Sequence, residues 1–344
     1  MLKIKLLNKM PEQVNGKFQN KEVTPSEKIQ EIKPDENFDG LKKVIVNKIP
    51  DEYGKLDDYF DKNIEMTPFN NKRKWSDLVK NLPPLSCSSN ITSFSKFFAD
   101  YVGTTLTFNN FDTSNVTDMS YMFVNSKIVS LNLNNFNTSN VTNMAYMFSG
   151  CNLLQELYVD NFDTSNVTTM TQMFGHCPLT NLDISNFDTS NVTVMFDMFS
   201  SCSRLASIKF GDQFNTSKVG SFRNMFYWNA SLKTLDLSGF DSSNIFNIAD
   251  MFYRCDNLTE IKGCLQNLGQ AYDTTKETNY SSYTLKLSDS IYLTHDSLTN
   301  IINGLYDIKT KGCKAQKLTL GTINLAKLTA EEIAIATEKG WTVS

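Results

Sequence analysis

One thirteen-residue phrase recurs along the chain and constrains its fold more than any other feature. The clearest copies are FDTSNVTDMSYMF from Phe111, FNTSNVTNMAYMF from Phe136, FDTSNVTTMTQMF from Phe162 and FDTSNVTVMFDMF from Phe187. Divergent copies begin at Phe214 and Phe240, and SSNITSFSKFF over 88–98 matches the end of the phrase. A unit of 25 to 27 residues cannot bury its own apolar face, so this period predicts a solenoid of stacked coils.

The apolar spacing changes within each unit. In LNLNNF, from Leu131 to Phe136, apolar residues alternate with polar ones, which is typical of a strand. The apolar residues that follow recur at three- and four-residue steps, which is the spacing of one helix face; they are Val141, Met144, Met147 and Phe148. Thr-Ser-Asn between the two segments supplies side-chain oxygens that can cap such a helix. Each coil is therefore predicted to contain a strand, a capped corner, a helix of about two turns and a return loop.

The predicted fold class is α/β: a solenoid of about seven strand–helix coils with stacked parallel strands on one face. We divide the chain into a β-hairpin docking module (1–54), a linker and helical cap (55–87), the solenoid (88–264) and an α/β cap (265–344). The hairpin pairs Lys28–Ile32 with Lys43–Lys48. The C-terminal cap has an apolar helix face at Leu298, Ile301, Ile302 and Leu305, a strand at Leu318 and Leu320, and a closing helix over Leu328–Thr337 that starts with a capping box at Thr329. Trp75, Leu78, Val79 and Leu82 indicate the N-terminal helical cap.

A repeated asparagine is the candidate structural ladder between coils. The residues are Asn90, Asn115, Asn140, Asn166, Asn191 and Asn244. Lys218 replaces the asparagine in the 27-residue unit and indicates a local defect.

Four cysteines, Cys151, Cys177, Cys202 and Cys255, each follow a repeat methionine by four residues. They are either a metal or disulfide ladder or small buried side chains. Ser126 and Asn229 occupy the same place in other units, which favours packing.

The outward strand positions are the candidate binding surface, because they vary while the core residues repeat. They are Thr107, Asn132, Tyr158, Asp183, Lys209 and Asp236, with Asn134, Asp160 and Ser185 in the neighbouring row. A merely solvated face would show the same variety, so that alternative stays open. The return-loop aromatics Phe226, Tyr227 and Trp228 are a second candidate that could anchor a protein or a sugar.

We find no catalytic or metal-binding pattern and no cofactor motif in the sequence. Both histidines, His176 and His295, lack a base or nucleophile arrangement, and a calcium ladder on the repeated Asp112, Asp163, Asp188 and Asp241 is opposed by Asn137 and Asn215 at the same place. A net charge of −4 offers no field for nucleic acid, and no apolar run is long enough to span a membrane. The N-terminus reads as lacking an export signal.

The repeats resemble those of BspA-like leucine-rich-repeat surface proteins, a family also seen in mycoplasma surface lipoproteins. The carrying segments are FDTSNVTDMSYMF, FNTSNVTNMAYMFSGC and FDTSNVTTMTQMFGHC, and the resemblance covers about Ser88 to Cys264. It implies a leucine-rich-repeat solenoid that acts in adhesion and recognition at a bacterial surface, without catalysis.

The two ends resemble tail-associated structural proteins of Firmicutes phages and prophages. The segments are VTPSEKIQEIKPDENFDGLKKVIVNKIPDEY near the start, and LTHDSLTNIINGLYD and KLTLGTINLAKLTAEEIAIATEKGWTVS near the end. This resemblance implies a virion component, made in the bacterial cytoplasm, that docks onto other virion proteins through its N-terminal module and meets a host surface protein or glycan. The alternatives are a cell-surface adhesin and a cytosolic interaction scaffold; a homo-oligomer is compatible with each.

Overall fold

The computed structural model describes residues 5–6, 13–14, 17–18, 30–31, 85–87, 91–263, 265–268, 284–311 and 315–344. The N-terminal strands are β1 Lys5–Leu6, β2 Gln13–Val14, β3 Lys17–Phe18 and β4 Gln30–Glu31. The strands of the coils are β5 Leu85–Cys87, β6 Phe108–Phe111, β7 Ser130–Asn132, β8 Glu156–Tyr158, β9 Asn181–Ile184, β10 Ser207–Phe210, β11 Thr234–Asp236 and β12 Glu260–Lys262. The C-terminal elements are β13 Thr284–Lys286, α1 His295–Gly304, β14 Lys317–Thr319, α2 Gly321–Leu325, α3 Ala330–Glu338 and β15 Thr342–Val343.

The strands of successive coils stack in parallel, as the alternation of apolar and polar residues predicts. β7 pairs with β8, β9 with β10 and β11 with β12, each in a register that places equivalent repeat residues side by side. In β9 the burial pattern alternates strictly, with Leu182 and Ile184 inside and Asn181 and Asp183 outside. One strand face therefore looks into the core and the other looks outward along the whole stack.

The helix predicted in each coil is wrong, because residues 91–263 contain no helix. The segment folds as consecutive β-turns: Met147 N donates to Met144 O over 3.3 Å, and Cys151 N donates to Phe148 O over 3.1 Å. Tyr146 and Gly150, each the third residue of its turn, have φ of 59° and 73°. A positive φ at that position is typical of a type II turn. The coils are therefore built from strands and turns, and the α/β class applies only to the C-terminal cap.

The turns replace a helix because the backbone amides of this segment bond to the next coil. Tyr146 N donates to Thr171 O, Phe148 N to Met173 O and Gly150 N to Gly175 O, over 2.8, 2.9 and 2.8 Å. An α-helix would direct those amides to its own carbonyls four residues back. The intervening amides close the turns, so every second amide is free to hold the neighbouring coil.

A column of aromatic rings runs through the core. Phe98, Phe123, Phe148, Phe174, Phe199, Phe226 and Phe252 belong to it, and neighbouring ring centroids lie 5.4 to 5.9 Å apart. Each of these rings is essentially inaccessible to solvent. The phenylalanine that ends each copy of the repeated phrase thus supplies one core layer per coil.

The four repeated cysteines are buried free thiols that bond between coils. Cys177 Sγ donates to Phe148 O over 3.1 Å, and Cys255 Sγ to Phe226 O over 3.1 Å. Asn229 takes this place in its own coil and donates from Nδ2 to Phe199 O over 2.9 Å. The position therefore needs a small side chain with a donor, which goes beyond the packing role predicted for it.

The C-terminal elements cover the last coil. Ser290 Oγ donates to Cys255 O over 3.0 Å, Ile261 N donates to Ser297 Oγ over 2.9 Å, and Leu268 forms a parallel bridge with Leu305. α3 starts with a capping box in which Thr329 and Glu332 bond reciprocally. Behind it, β13, β14 and β15 form a parallel sheet.

At the N-terminus, β1 pairs with β4 and β2 with β3, both antiparallel. β4 lies within the predicted strand Lys28–Ile32, but its predicted partner, Lys43–Lys48, lies outside the described residues. The predicted helical cap at Trp75–Leu82 and the boundary proposed at 54/55 also lie outside the described residues. At the boundary proposed at 87/88, residue 87 is described and residue 88 is not.

Candidate recognition surfaces

The outward strand positions form one exposed line, which we call the strand row. Its members are Thr107, Asn132, Tyr158, Asp183, Lys209 and Asp236, and all six are exposed. The register places Asn132 beside Tyr158 and Asp183 beside Lys209. Tyr158 is 43% exposed, and exposed tyrosines of this kind are enriched among the residues that dominate binding energy at interfaces.

Three members of the strand row also have a local structural role. Asn132 Oδ1 accepts from Asn134 N, Asp183 Oδ1 from Ser185 N and Asp236 Oδ1 from Ser238 N, each over 3.0 Å. These bonds shape the turn that leaves the strand. The side-chain acceptor at this position is thus explained by the local fold, without a ligand. The strand-row residues that differ from this pattern, and could give the surface its specificity, are Thr107, Tyr158 and Lys209.

Two charged members of the strand row, Asp183 and Lys209, pair with each other. Lys209 Nζ lies 2.9 Å from Asp183 Oδ2, and Ser185 Oγ donates to Asp183 over 2.6 Å. The bond from Ser185 and the ammonium of Lys209 lower the pKa of Asp183 to about 2. The neighbouring row is bonded in the same way, since Asn134 Nδ2 donates to Asp160 Oδ2 over 2.9 Å. Both rows present a satisfied polar surface around Tyr158.

The repeated asparagines lie at the corner and reach the preceding coil. Asn140 Nδ2 donates to Ser114 O, Asn166 Nδ2 to Ser139 O and Asn191 Nδ2 to Ser165 O, over 2.7, 2.7 and 2.8 Å. Asn244 bonds to Ser217 O, Asn115 occupies the same place, and Asn90 lies outside the described residues.

At the defective unit, Lys218 Nζ bonds to Asn191 Oδ1 over 2.7 Å. The backbone is also looser there: Gly220 N lies 3.4 Å from Thr193 O, whereas Thr193 N lies 2.9 Å from Thr168 O. The irregularity inferred from the sequence at Lys218 therefore falls between these two coils.

The repeated corner aspartates hold turns. Asp112, Asp163, Asp188 and Asp241 each accept from the backbone amide of the serine two residues on, and Asn137 and Asn215 do the same. Within the described part of the chain, no three His, Cys, Asp or Glu side chains are grouped so as to hold a metal ion. In that same part, no helix is long and apolar enough to cross a membrane.

The β-turn segments carry a second exposed surface. Of the return-loop aromatics named from the sequence, Tyr227 and Trp228 lie on it, whereas the prediction for Phe226 is wrong, because that ring is buried in the core column. Tyr227 packs on Tyr253 with ring centroids 5.3 Å apart, and Trp228 is 46% exposed with the Arg254 guanidinium 5.5 Å from its ring. Tyr121 and Tyr146 stack at 4.6 Å further along. The sequence marks these rings only by their position: Tyr121 and Tyr146 directly precede a repeat methionine, and Tyr227 and Tyr253 follow one by two residues. A search for repeated residues misses them, because other coils carry different residues at these positions.

A half-buried acid, Asp197, lies between the two groups of rings, and sequence reasoning missed it. The side chains of Asn224, Arg223 and His176 lie near its carboxylate, and each favours a lower pKa. Burial outweighs these contacts and raises the pKa of Asp197 above its ordinary value. No letter pattern marks Asp197, because its equivalents are Gln172 and Asn224 in the adjacent coils.

Comparison with known proteins gives a family match over the repeats. The family model described as "Mycoplasma protein of unknown function, DUF285" matches residues 92–210 and 208–284, together more than half of the chain. The chain is also similar, at 17% identity and a TM-score of 0.38, to a leucine-rich repeat protein from Bacteroides ovatus ATCC 8483. That similarity covers 73% of this chain, which spans 65% of the length of the other protein. No curated protein matches the chain.

Proposed function

The chain belongs to the family described as "Mycoplasma protein of unknown function, DUF285", and from this membership we propose that it is a noncatalytic binding protein of a bacterial cell surface. The match falls on the repeats that resemble BspA-like leucine-rich-repeat proteins and supports that resemblance. The surface adhesin, which the sequence left as an alternative, is therefore preferred to the virion component. The phage-tail resemblance of the ends has no support in the comparisons, and the virion role stays a prediction.

One observation carries this proposal: the repeated residues are used for bonds between coils, while the outward positions differ from coil to coil. Asn166 and Cys177 each reach the preceding coil, whereas Thr107, Tyr158 and Lys209 project from equivalent places on the strand face. A framework that keeps its spacing while its exposed side chains vary suits recognition of an extended partner.

The binding role is tested with purified, fluorescently labelled protein on intact bacterial and host cells. We expect saturable binding that Tyr158→Ala/Lys209→Ala reduces by about tenfold, the size expected when an aromatic anchor is lost. The matched control is Tyr292→Ala/Lys317→Ala, which removes an exposed tyrosine and lysine from the cap. Equal binding by both variants would exclude the strand row, and the absence of binding to any cell would contradict the adhesin role.

The location is tested separately by mass spectrometry on washed, surface-proteolysed cells and on density-gradient particles from an induced lysate. The adhesin proposal predicts that surface proteolysis removes the protein from intact cells. A constant ratio to the major tail protein in purified particles would instead favour the virion component.

A further inference from the structure

On the turn surface, two aromatic rings border one end of a gap at Ser200 and Ser201, which we call the notch. Tyr227 and Trp228 form that end, and their partners, Tyr253 and Arg254, lie in the following coil. The register is set by Trp228 N, which donates to Tyr253 O over 2.7 Å. The following coil thus packs against both rings from one side.

The directly preceding coil offers only small side chains at the same two positions. Ser201 N donates to Tyr227 O over 2.6 Å, which places Ser200 and Ser201 directly before the two rings. One coil earlier the equivalent residues are Gly175 and His176, since His176 N donates to Ser200 O over 2.8 Å. Ser200 and Gly175 are small and buried, whereas His176 is exposed. At the outer position the small side chain of Ser201 therefore leaves a gap one coil wide between Trp228 and His176.

The acid–amide group lies beside this gap. Asp197 precedes Ser200 in the same coil and Asn224 precedes Tyr227 in the next, and the Asn224 amide lies close enough to the Asp197 carboxylate to lower its pKa. Asp197 is partly withdrawn from water, so its remaining lone pairs are strong acceptors for a ligand hydroxyl. On the far side lies Tyr146: burial raises the pKa of its phenol, and the neighbouring Tyr121 and Asp197 raise it further.

We propose that this notch binds a neutral glycan, with a pyranose ring stacked on Trp228 and its hydroxyl groups donating to Asp197. A pyranose combines an apolar C–H face with a rim of hydroxyl groups, which matches an exposed ring beside an acid–amide pair. The local charges oppose each other, with Asp197 near Arg223, so the site suits neither a polyanion nor a polycation. From Tyr146 to Trp228 the surface spans three coil steps of about 5 Å each, which is enough for an oligosaccharide.

This proposal names a ligand class for the recognition role proposed above and rests on that role. It places the ligand on the turn surface and leaves the strand row for other contacts.

The experiment screens the full chain on an array of neutral hexose and N-acetylhexosamine oligosaccharides and then measures the best ligand by isothermal titration. We expect Trp228→Ala to weaken binding by at least about tenfold. Asp197→Ala should also weaken it, because the hydroxyl acceptor is lost. Tyr292→Ala removes a more exposed ring from the cap and serves as the control, which should bind like the wild type. Far-ultraviolet circular dichroism and urea unfolding show whether each variant is folded.

Two results would overturn the proposal: no binding to any neutral glycan on the array, or unchanged affinity in a folded Trp228→Ala variant. Binding to intact cells without binding to the array would remove the glycan proposal and keep the recognition role. Binding to the array without binding to any cell would keep the notch and remove the cell-surface role.

Discussion

At the residue scale, several of the repeated polar residues have a defined hydrogen-bond partner in the neighbouring coil. Thr138 Oγ1 donates to Asp163 O over 2.9 Å, Asn166 reaches back to Ser139, and Cys177 reaches back to Phe148. The sequence shows that these positions are constrained, because they recur. It does not show their partners, since a threonine, an asparagine and a cysteine could equally have capped, packed or bound a ligand. The role of each side chain follows from the stacking of the coils, which places one backbone carbonyl of the neighbouring coil within hydrogen-bond reach of it.

The buried thiols should be protected from alkylation in the folded protein. Burial raises the pKa of Cys202 and of Cys255 to about 12 in each case, so only about one thiol in ten thousand is ionised at pH 8. We expect peptide mapping after iodoacetamide treatment at pH 8 to show both unlabelled in buffer and labelled in urea. Labelling of both in the native protein within the same time would contradict their placement.

The ionised form of Asp183 should contribute a small, pH-dependent stability. Its folded pKa of about 2 lies below the ordinary 3.8, so the contribution is present above pH 3.8 and is lost as the pH falls through about 2. The exposure of Asp183 and Lys209 limits it to less than about 1 kcal/mol. Urea unfolding from pH 2 to 6 should show a shallower acid dependence in Asp183→Asn than in the wild type. Parallel curves for the two proteins would exclude it.

At the element scale, the predicted strands are present and the predicted helices are not. Alternation in a segment such as Asn181–Ile184 has one explanation, a strand with one buried face. Three- and four-residue steps have two, because consecutive β-turns also return a side chain to the core every three or four residues. The positive φ at Tyr146 and Gly150 distinguishes the turns from a helix. Of these two residues, only the glycine indicates a positive φ from its sequence identity.

Relieving one of these positive φ angles should stabilise the protein. His176 is exposed and has φ of 61°, a conformation that costs a residue with a side chain about 1–2 kcal/mol. His176→Gly should therefore raise the free energy of unfolding by up to about 1 kcal/mol, after the greater unfolded-state freedom of glycine is subtracted. The control is Thr180→Gly, at an exposed position without positive φ, which should lower it by about 0.5–1 kcal/mol. Chemical unfolding in urea measures both; a loss of stability in His176→Gly would contradict the turn geometry.

At the scale of the whole molecule, the solenoid is a series of nearly equivalent interfaces closed by a cap. The core column and the parallel bridges join each coil only to its neighbours, and Ser290 and Ser297 then tie the last coil to the C-terminal elements. The repeat period alone predicts this organisation. The repeat period does not predict the change from small side chains to exposed rings at Trp228, because that change is a difference between coils.

Removal of one complete coil should leave a folded protein. Deletion of residues 112–136 joins Phe111 to Asn137 and restores the corner phrase, so the remaining interfaces keep their register. We expect unchanged far-ultraviolet circular dichroism per residue and cooperative urea unfolding with a slightly smaller m-value. Deletion of 112–123, about half a coil, is the matched control and should aggregate or unfold. Similar behaviour of the two deletions would show that coil register does not control folding.

The direction of the inter-coil bonds has a mechanical consequence. Bonds such as those from Phe148 to Met173 and from Gly150 to Gly175 run along the long axis of the stack, so tension between its ends loads one interface after another. Each released coil frees 25 to 27 residues of chain, or about 85 Å of extension at 3.3–3.6 Å per residue. Under shear such a molecule would lengthen in discrete steps and absorb work at each one, and the coils still stacked would keep their exposed surfaces intact.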